Sequence, residues 1–197
     1  MYKTILLTGA GSGFGEGTAI GLARQGHDVI AAAQSWPQVT ALRKEVDSLK
    51  LSGLRVEKLD LLDPYDVARA VSWEFDVLVN NAGIGEGGPI SEIPVDLVRH
   101  NFEVNVFAPL DFTQRVVKRW VRSKIRGKIV FVSSALGVLS PPMVGSYSAS
   151  FRFASISSAI AASSSCAPAG HASTRSRISV SRFDFMAATL PRMVAIW

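Results

Sequence analysis

A glycine-rich turn near the start of the chain constrains its fold more than any other stretch. An apolar run over residues 4–7, short enough for one buried strand, leads into TGAGSGFG at residues 8–15. Residues 16–24 then predict a helix, which Gly26 ends. A strand that passes through glycines into a helix directs backbone N–H groups and the positive helix end at one place, where no Cβ blocks a phosphate. The sequence therefore predicts a phosphate site at this turn.

The first predicted helix also carries glycine at every fourth position. Gly13, Gly17 and Gly21 share one face at this spacing. A face without side chains can approach a sheet closely, so we expect this face of the helix to lie against the sheet.

Strand-like and helix-like segments alternate over the first 132 residues. Strands are predicted at residues 4–7, 29–33, 54–59, 77–79 and 128–132, and helices at residues 16–24, 36–49, 63–73 and 95–123. This alternation implies right-handed crossovers and a parallel sheet covered on both faces. The predicted fold class is α/β, with a Rossmann-type, doubly wound parallel sheet in three layers.

Small or polar residues follow each predicted strand. Gly9, Ala33, Asp60, Asn81 and Ser134 come at or just after the five strand ends. Ligands of such sheets bind beyond the carboxyl ends of the strands. These residues are therefore expected to meet at one edge and to line a binding site.

The phosphate turn and this edge together predict a dinucleotide site. Its predicted cofactor-binding residues are Gly9, Ser12, Gly13, Phe14, Gly15, Gln34, Asp60, Leu61, Asn81, Ala82 and Gly83. An acid after the second strand would favour NAD, and a base there would favour the 2′-phosphate of NADP. Ala33-Gln34-Ser35 supplies neither, and the missing acid favours NADP, with NAD left open. Asp60 is interpreted either as an acceptor for the adenine amino group or as a turn acid.

The last long predicted helix contains a proline. Pro109 has no N–H, so the carbonyl of Asn105 loses its helical partner. We expect a kink there. The kink either frees the Asn105 carbonyl for a water molecule or only bends the helix around the core.

These motifs resemble the short-chain dehydrogenase/reductase family over about residues 1–150. Thr8-Gly9-x-x-x-Gly13-x-Gly15 is similar to its cofactor motif, Asn80-Asn81-Ala82-Gly83 to its sheet-stabilising motif, Ser134 and Tyr147 to its catalytic pair, and Asn105 to its active-site asparagine. The resemblance implies hydride transfer between nicotinamide and a small carbonyl or alcohol substrate. Tyr147 would exchange a proton with the substrate oxygen, and Ser134 would hold that oxygen by a hydrogen bond.

The resemblance fails at one catalytic position. The family has a lysine four residues after the tyrosine, which lowers the tyrosine pKa and holds the nicotinamide ribose, whereas this chain has Phe151. A free tyrosine titrates near 10, and lowering its pKa by about three units is worth roughly 4 kcal/mol. Arg152 projects about 100° away around a helix and does not titrate. The alternative function is therefore a dinucleotide-binding protein with impaired catalysis.

The composition changes abruptly after Ser150. Ser and Ala make up 13 of the 19 residues from Ser148 to Cys166. We interpret residues 1–150 as an NAD(P)-binding Rossmann domain and residues 151–197 as a divergent or frameshifted, poorly packed remnant of it. The sheet is expected to be incomplete at that edge, with residues 178–181 as a candidate sixth strand. The homo-oligomer usual in the family is accordingly doubtful for this chain.

Charge and composition bear on the remaining partners. Residues 1–111 hold 15 acidic and 9 basic side chains, whereas residues 112–197 hold one acidic and 12 basic ones. The basic part indicates either a nucleic-acid surface or a solvated helix end; without interleaved aromatic residues the second is favoured, and no nucleic-acid partner is predicted.

Cys166 is the one cysteine, and the three histidines lack metal-ligand spacing, so neither a disulfide nor a metal site is predicted. No membrane span or signal peptide is expected, which favours a cytoplasmic location.

Overall fold

One parallel sheet organises the computed structural model, which describes residues 2–153 and 179–180. Its strands are β1 (Thr4–Thr8), β2 (Asp28–Ala33), β3 (Leu54–Lys58), β4 (Val77–Asn80), β5 (Lys128–Phe131) and β6 (Ser179–Val180). Their order across the sheet is β3-β2-β1-β4-β5-β6, and every pair is parallel. The predicted doubly wound α/β fold is confirmed, with the strand order reversing direction between β1 and β4.

The helices connect these strands. They are α1 (Gly13–Arg24), α2 (Trp36–Ser48), α3 (Pro64–Val71), α4 (Val95–Phe102), α5 (Ala108–Arg122) and α6 (residues 145–153). Two of them begin at residues whose chemistry suits a helix start. At α2 the Ser35 N–H donates to the side chain of Gln38 at 3.1 Å, and at α3 the Asp63 carboxylate accepts from the Tyr65 N–H at 2.8 Å.

The helices cover both faces of the sheet and so form three layers. Ile5 and Leu7 of β1 join one apolar cluster with α1 and α2, while Leu6 between them joins a second cluster with α3 and α5. This alternation follows from the two-residue period of a strand. Among the described residues, the largest fully buried side chain is Trp120, whose indole N–H donates to the Phe75 carbonyl at 3.0 Å.

The glycine face of α1 does not pack as expected. No atom would come within 4 Å of a Cβ placed on Gly17 or Gly21, so this face is open. The buried residues of α1 are Gly15, Ala19 and Ile20. The expectation was wrong because the four-residue glycine spacing identified a shared face, whereas the apolar residues determine which face is buried.

The long helix around Pro109 departs from a simple kink. Residues Glu103–Phe107 form a π-helix that joins α4 to α5 without a break. A π-helix joins groups five residues apart by hydrogen bonds, one residue more than an α-helix, and such turns often lie at functional sites. The helix therefore accommodates the missing Pro109 N–H through a wider, π-helical turn just before the proline.

Most of the divergent segment lies outside the described residues, and so does the expectation that it is poorly packed. Ser179 and Val180 pair in parallel with Lys128 and Ile129. These two residues fall inside the candidate sixth strand at residues 178–181. They place a sixth strand beside β5.

A buried carboxylate joins the end of β3 to α3. The Asp66 side chain is 5% exposed and accepts hydrogen bonds from Lys58, from the Asp60 N–H at 3.0 Å and from Arg69 at 2.7 Å. Burial alone would raise the pKa of Asp66, but the Lys58 hydrogen bond, the Asp60 N–H and the charges of Lys58 and Arg69 together lower this pKa below its usual range.

We expect Asp66→Asn to lower the free energy of unfolding by roughly 2–4 kcal/mol at pH 7, because Lys58 loses its closest counter-charge. Because the pKa of Asp66 is lower in the folded state, its carboxylate stabilises the fold at pH values above the unfolded-state pKa of about 3.9. This stabilisation is lost as the pH falls through the folded-state pKa of Asp66. Urea unfolding between pH 7 and pH 3 measures both effects. Asp96→Asn is the control, since its ion pair with Arg99 is exposed on both sides. Equal acid sensitivity of wild type and Asp66→Asn would contradict this account.

Candidate active site

A cleft of about 270 Å³ opens at the carboxyl edge of the sheet, beside the β1–β4 reversal. This is the place where doubly wound sheets bind ligands. All the predicted cofactor-binding residues except Gly13 line it, namely Gly9, Ser12, Phe14, Gly15, Gln34, Asp60, Leu61, Asn81, Ala82 and Gly83. The lining also includes Gly11, Gln38, Leu59, Leu62, Ile84 and Val104, which no motif had singled out.

The turn after β1 needs glycine because backbone fills the space around it. A Cβ on Gly9 would lie 2.6 Å from the Ala82 Cα, and one on Gly15 would lie 2.1 Å from the Gly9 carbonyl oxygen. Gly9 also has a φ of +69°, which glycine adopts without strain. The turn is therefore a backbone cradle with no room for side chains on its inner surface.

Hydrogen bonds fasten this cradle to β4. The Asn81 side-chain amide donates to the carbonyls of Thr8 and Gly9 at 3.0 and 3.1 Å. The Thr8 hydroxyl accepts from the N–H groups of Asn81 and Ala82, both at 3.1 Å. These four bonds explain why a threonine before the turn accompanies an asparagine after β4.

Gly13 has a different place from the one predicted. It begins α1 with a φ of +60°, and no atom would lie within 4 Å of a Cβ there. It does not line the cleft. Its contribution is a left-handed backbone at the start of the helix, and not contact with the cleft.

Gln34 and Asp60 meet in the lining of the cleft. The Gln34 amide donates to the Asp60 carboxylate at 3.4 Å, and the other carboxylate oxygen accepts from the Leu62 N–H at 3.0 Å. Asp60 is thus a turn acid that also lines the cleft. The turn role is therefore observed, and contact with the adenine amino group stays a prediction.

Residues 83–88, here called the glycine segment, contribute Gly83 and Ile84 to the cleft lining and pack on α6. A Cβ on Gly83 would lie 3.1 Å from the Phe151 ring, and one on Gly85 would lie 3.1 Å from the Tyr147 ring. Alternate glycines of an extended segment thus meet aromatic rings one turn apart on a helix. The missing side chains allow the two rings to lie directly on the backbone.

Two asparagines bind the backbone of the glycine segment and also contact α6. The Asn105 side chain accepts from the Ile84 N–H at 2.8 Å and donates to the Ile84 carbonyl at 2.9 Å. Its amide also donates to the Ser150 hydroxyl at 3.0 Å. One turn earlier, Asn101 bonds in the same way to Glu86 and donates to the Ser146 hydroxyl at 3.1 Å.

This paired arrangement connects α4 and the π-helix to α6 through the glycine segment. Asn101 and Ser146 carried no signal when considered singly. The signal available was their spacing, since Asn101/Asn105 and Ser146/Ser150 are both pairs four residues apart. The Asn105 side chain thus links the glycine segment to α6, and the expected role of its carbonyl stays a prediction.

Ser134 and Tyr147 belong to consecutive elements at the same edge. Ser134 follows β5 and begins a short 3-10 helix, Ala135–Gly137, where its hydroxyl oxygen accepts from the Leu136 N–H at 3.2 Å. That helix packs closely on α6: a Cβ on Gly137 would lie 3.1 Å from the backbone nitrogen of Arg152. The 3-10 helix and α6, which carries Tyr147, are thus in contact.

Phe151 packs on the candidate catalytic tyrosine. The ring centroids of Tyr147 and Phe151 are 4.6 Å apart with an angle of 42° between the planes. The Phe151 ring also lies against Gly83, on the side that carries the Asn105 amide oxygen. The neighbour one turn after the tyrosine is therefore an apolar ring.

The described ranges, residues 2–153 and 179–180, contain neither a metal-binding cluster nor a membrane-spanning helix. No group of three or more His, Cys, Asp or Glu side chains there could hold a metal ion. No helix in this part of the chain is both long and apolar enough to cross a membrane.

Comparison with known proteins gives matches over most of the chain. The family described as short chain dehydrogenase matches residues 3–164. An uncharacterized oxidoreductase of Myxococcus xanthus is 35% identical over 162 residues, which cover 78% of this chain and 62% of that protein. The 3-ketodihydrosphingosine reductase of Bacteroides thetaiotaomicron is 34% identical over 154 residues, 75% of this chain and 53% of the relative.

A solved structure shares the fold. The short-chain dehydrogenase from Sphingobium yanoikuyae in complex with NADPH matches with a TM-score of 0.68 and 27% identity, over 79% of this chain and 63% of its own. The chain thus spans between half and two thirds of the length of these three proteins.

Proposed function

Since the chain belongs to the short-chain dehydrogenase family, we propose that it is an NAD(P)-dependent oxidoreductase that transfers a hydride between nicotinamide and a carbonyl or alcohol carbon. The observation that carries this proposal is the backbone cradle at Gly9 and Gly15, which opens into a cleft at the β1–β4 reversal. Ser134 and Tyr147 lie on elements at the same edge. The relative named as a reductase of a keto compound supports the reaction class.

NADP is the proposed cofactor, with NAD as the alternative. Gly9, Ser12 and Gly15 would hold the diphosphate on backbone N–H groups, and Gln34 would lie near the adenosine ribose, where no acid repels a 2′-phosphate. The solved relative that contains NADPH supports this choice. When bound, the nicotinamide supplies or accepts the hydride.

Ser134 and Tyr147 are the proposed catalytic pair. The Ser134 oxygen already accepts from the Leu136 N–H, so its own O–H can donate to a substrate oxygen. The Tyr147 hydroxyl would give a proton to that oxygen during reduction and remove one during oxidation. Asn105 would act on this pair by holding the glycine segment and Ser150 of α6.

A second function is favoured by one observation, the apolar ring beside Tyr147. Phe151 cannot stabilise a tyrosinate, whereas a cation in its place would lower the tyrosine pKa. On this alternative the chain binds the dinucleotide but has impaired catalysis.

Parallel titrations test both functions. NADPH fluorescence should show saturable binding that is at least about tenfold tighter than NADH binding, a difference of about 1.4 kcal/mol. Gln34→Asp should reverse this preference through charge repulsion, while the neighbouring Trp36→Phe should not. Absorbance of the nicotinamide with carbonyl substrates then separates turnover from binding alone. Failure of both nucleotides to bind would contradict both functions.

A further inference from the structure

Two loops flank the candidate catalytic pair and are hydrogen-bonded to each other. One covers residues 84–94 after β4, and the other covers residues 135–144 between Ser134 and α6. The Gly88 N–H donates to the Met143 carbonyl at 2.7 Å, and a Cβ on Gly87 would lie 2.3 Å from the same oxygen. The loops therefore form one continuous surface, which reaches Tyr147 through Gly85.

Large apolar side chains project from this surface into solvent. They form what we call the apolar rim: Ile90 is 89% exposed, Val138 75%, Leu139 62% and Met143 55%. The sequence has no Asp, Glu, Lys, Arg or His between Lys128 and Arg152. The second loop thus offers no charge to bind a substrate carboxylate or phosphate, whereas exposed apolar groups beside a cleft are typical of ligand-binding surfaces.

The backbone at Met143 adds an independent observation. Its φ is +73°, in the left-handed region that asparagine and glycine adopt more readily than methionine. The hydrogen bond from Gly88 holds this conformation. Strained backbone of this kind gathers at ligand-binding sites, where the surrounding contacts maintain it. Here it holds an exposed apolar side chain on the loop between Ser134 and Tyr147.

Resting on the proposed function, we infer that the substrate is a ketone or aldehyde with an apolar chain. Its carbonyl oxygen lies at Ser134 and Tyr147, and its chain lies along the apolar rim. On reduction the carbonyl carbon accepts a hydride from NADPH, which is oxidised to NADP⁺, while the oxygen accepts the Tyr147 proton. Water then returns a proton to Tyr147, and the product is the secondary or primary alcohol.

A homologous series of 2-ketones tests this inference with the full chain and NADPH. The probes are 2-butanone, 2-hexanone, 2-octanone and 2-decanone, with affinity measured by ligand-observed NMR and turnover by NADPH absorbance. Affinity should rise about two- to fourfold for each added methylene, as expected for burial of part or all of each CH₂. Met143→Asn suits the left-handed backbone and removes the apolar side chain, so this dependence should flatten. Val138→Ser provides a second variant with the same expectation.

The control variant is Val121→Ser, because Val121 is 51% exposed on α5, outside the two loops, and its loss should leave the dependence intact. Chain-length-dependent binding without NADPH oxidation would support the inference and contradict the proposed function. NADPH oxidation at a rate independent of chain length would support the proposed function and contradict the inference. Preference for a sugar such as L-rhamnose, or a dimer that Met143→Asn converts to monomers, would overturn the inference.

Discussion

Replacing Gly15 with alanine is expected to lower NADPH affinity at least a hundredfold. The added Cβ would lie 2.1 Å from the Gly9 carbonyl oxygen and 2.6 Å from the Asn81 amide nitrogen. The Gly9 carbonyl can yield only by moving backbone, and the Asn81 side-chain amide can yield only by losing its bonds to the carbonyls of Thr8 and Gly9. The cradle must therefore open, and we also expect a loss of about 1–3 kcal/mol in the free energy of unfolding.

Gly17→Ala on the same helix is the matched control. No atom would lie within 4 Å of its Cβ, so NADPH affinity should stay unchanged while the helix gains up to about 1 kcal/mol. Fluorescence titration and urea unfolding of both variants give the comparison. Similar NADPH affinities for Gly15→Ala and wild type would show that the dinucleotide binds elsewhere.

Replacing Phe151 with lysine is expected to raise kcat for alcohol oxidation on the order of a hundred- to a thousandfold. A cation one helical turn from Tyr147 stabilises the tyrosinate, and a lowering of about three pKa units corresponds to a thousandfold change in the ionised fraction. The pH profile of kcat should shift towards neutrality by a similar amount. That shift distinguishes an electrostatic effect from a change in packing.

Phe151→Leu separates charge from the loss of the ring. It removes the contact with Tyr147 without adding a cation, so its kcat and pH profile should resemble those of wild type. Circular dichroism and NADPH titration of each variant verify that the fold and the cleft persist. An intact Phe151→Lys protein with unchanged turnover would contradict the assigned role of Tyr147.

Local signals were enough to predict the sheet and the cleft. β1, the glycine turn and α1 follow one another within about 20 residues, and the glycines interrupt an otherwise regular pattern, so the cradle could be predicted from spacing alone. The residues after each strand likewise meet at one edge because parallel strands all end there. These predictions depend only on residues close together in the chain.

Interactions between distant segments could not be predicted in this way. The bond between Asn101 and Ser146 spans 45 residues, and the four-residue spacing within each pair does not show which pair is the partner. The prediction for the orientation of α1 was wrong for a related reason. Gly17 and Gly21 define one face of the helix, but packing in the whole domain determines which face is buried. The π-helical turn before Pro109 also could not be predicted locally, because it depends on the alignment of one face of α4 with one face of α5.

The π-helix at Glu103–Phe107 sets the rotational phase between those two faces. Before α5, Asn101 and Asn105 are directed at the glycine segment, whereas Phe112, Val116 and Trp120 of α5 are buried in the core. Winding the same five residues as regular α-helix would turn α5 by roughly 90° relative to α4. Either the asparagines or the buried residues of α5 would then leave their partners, so the wide turn lets one continuous helix serve both the glycine segment and the core.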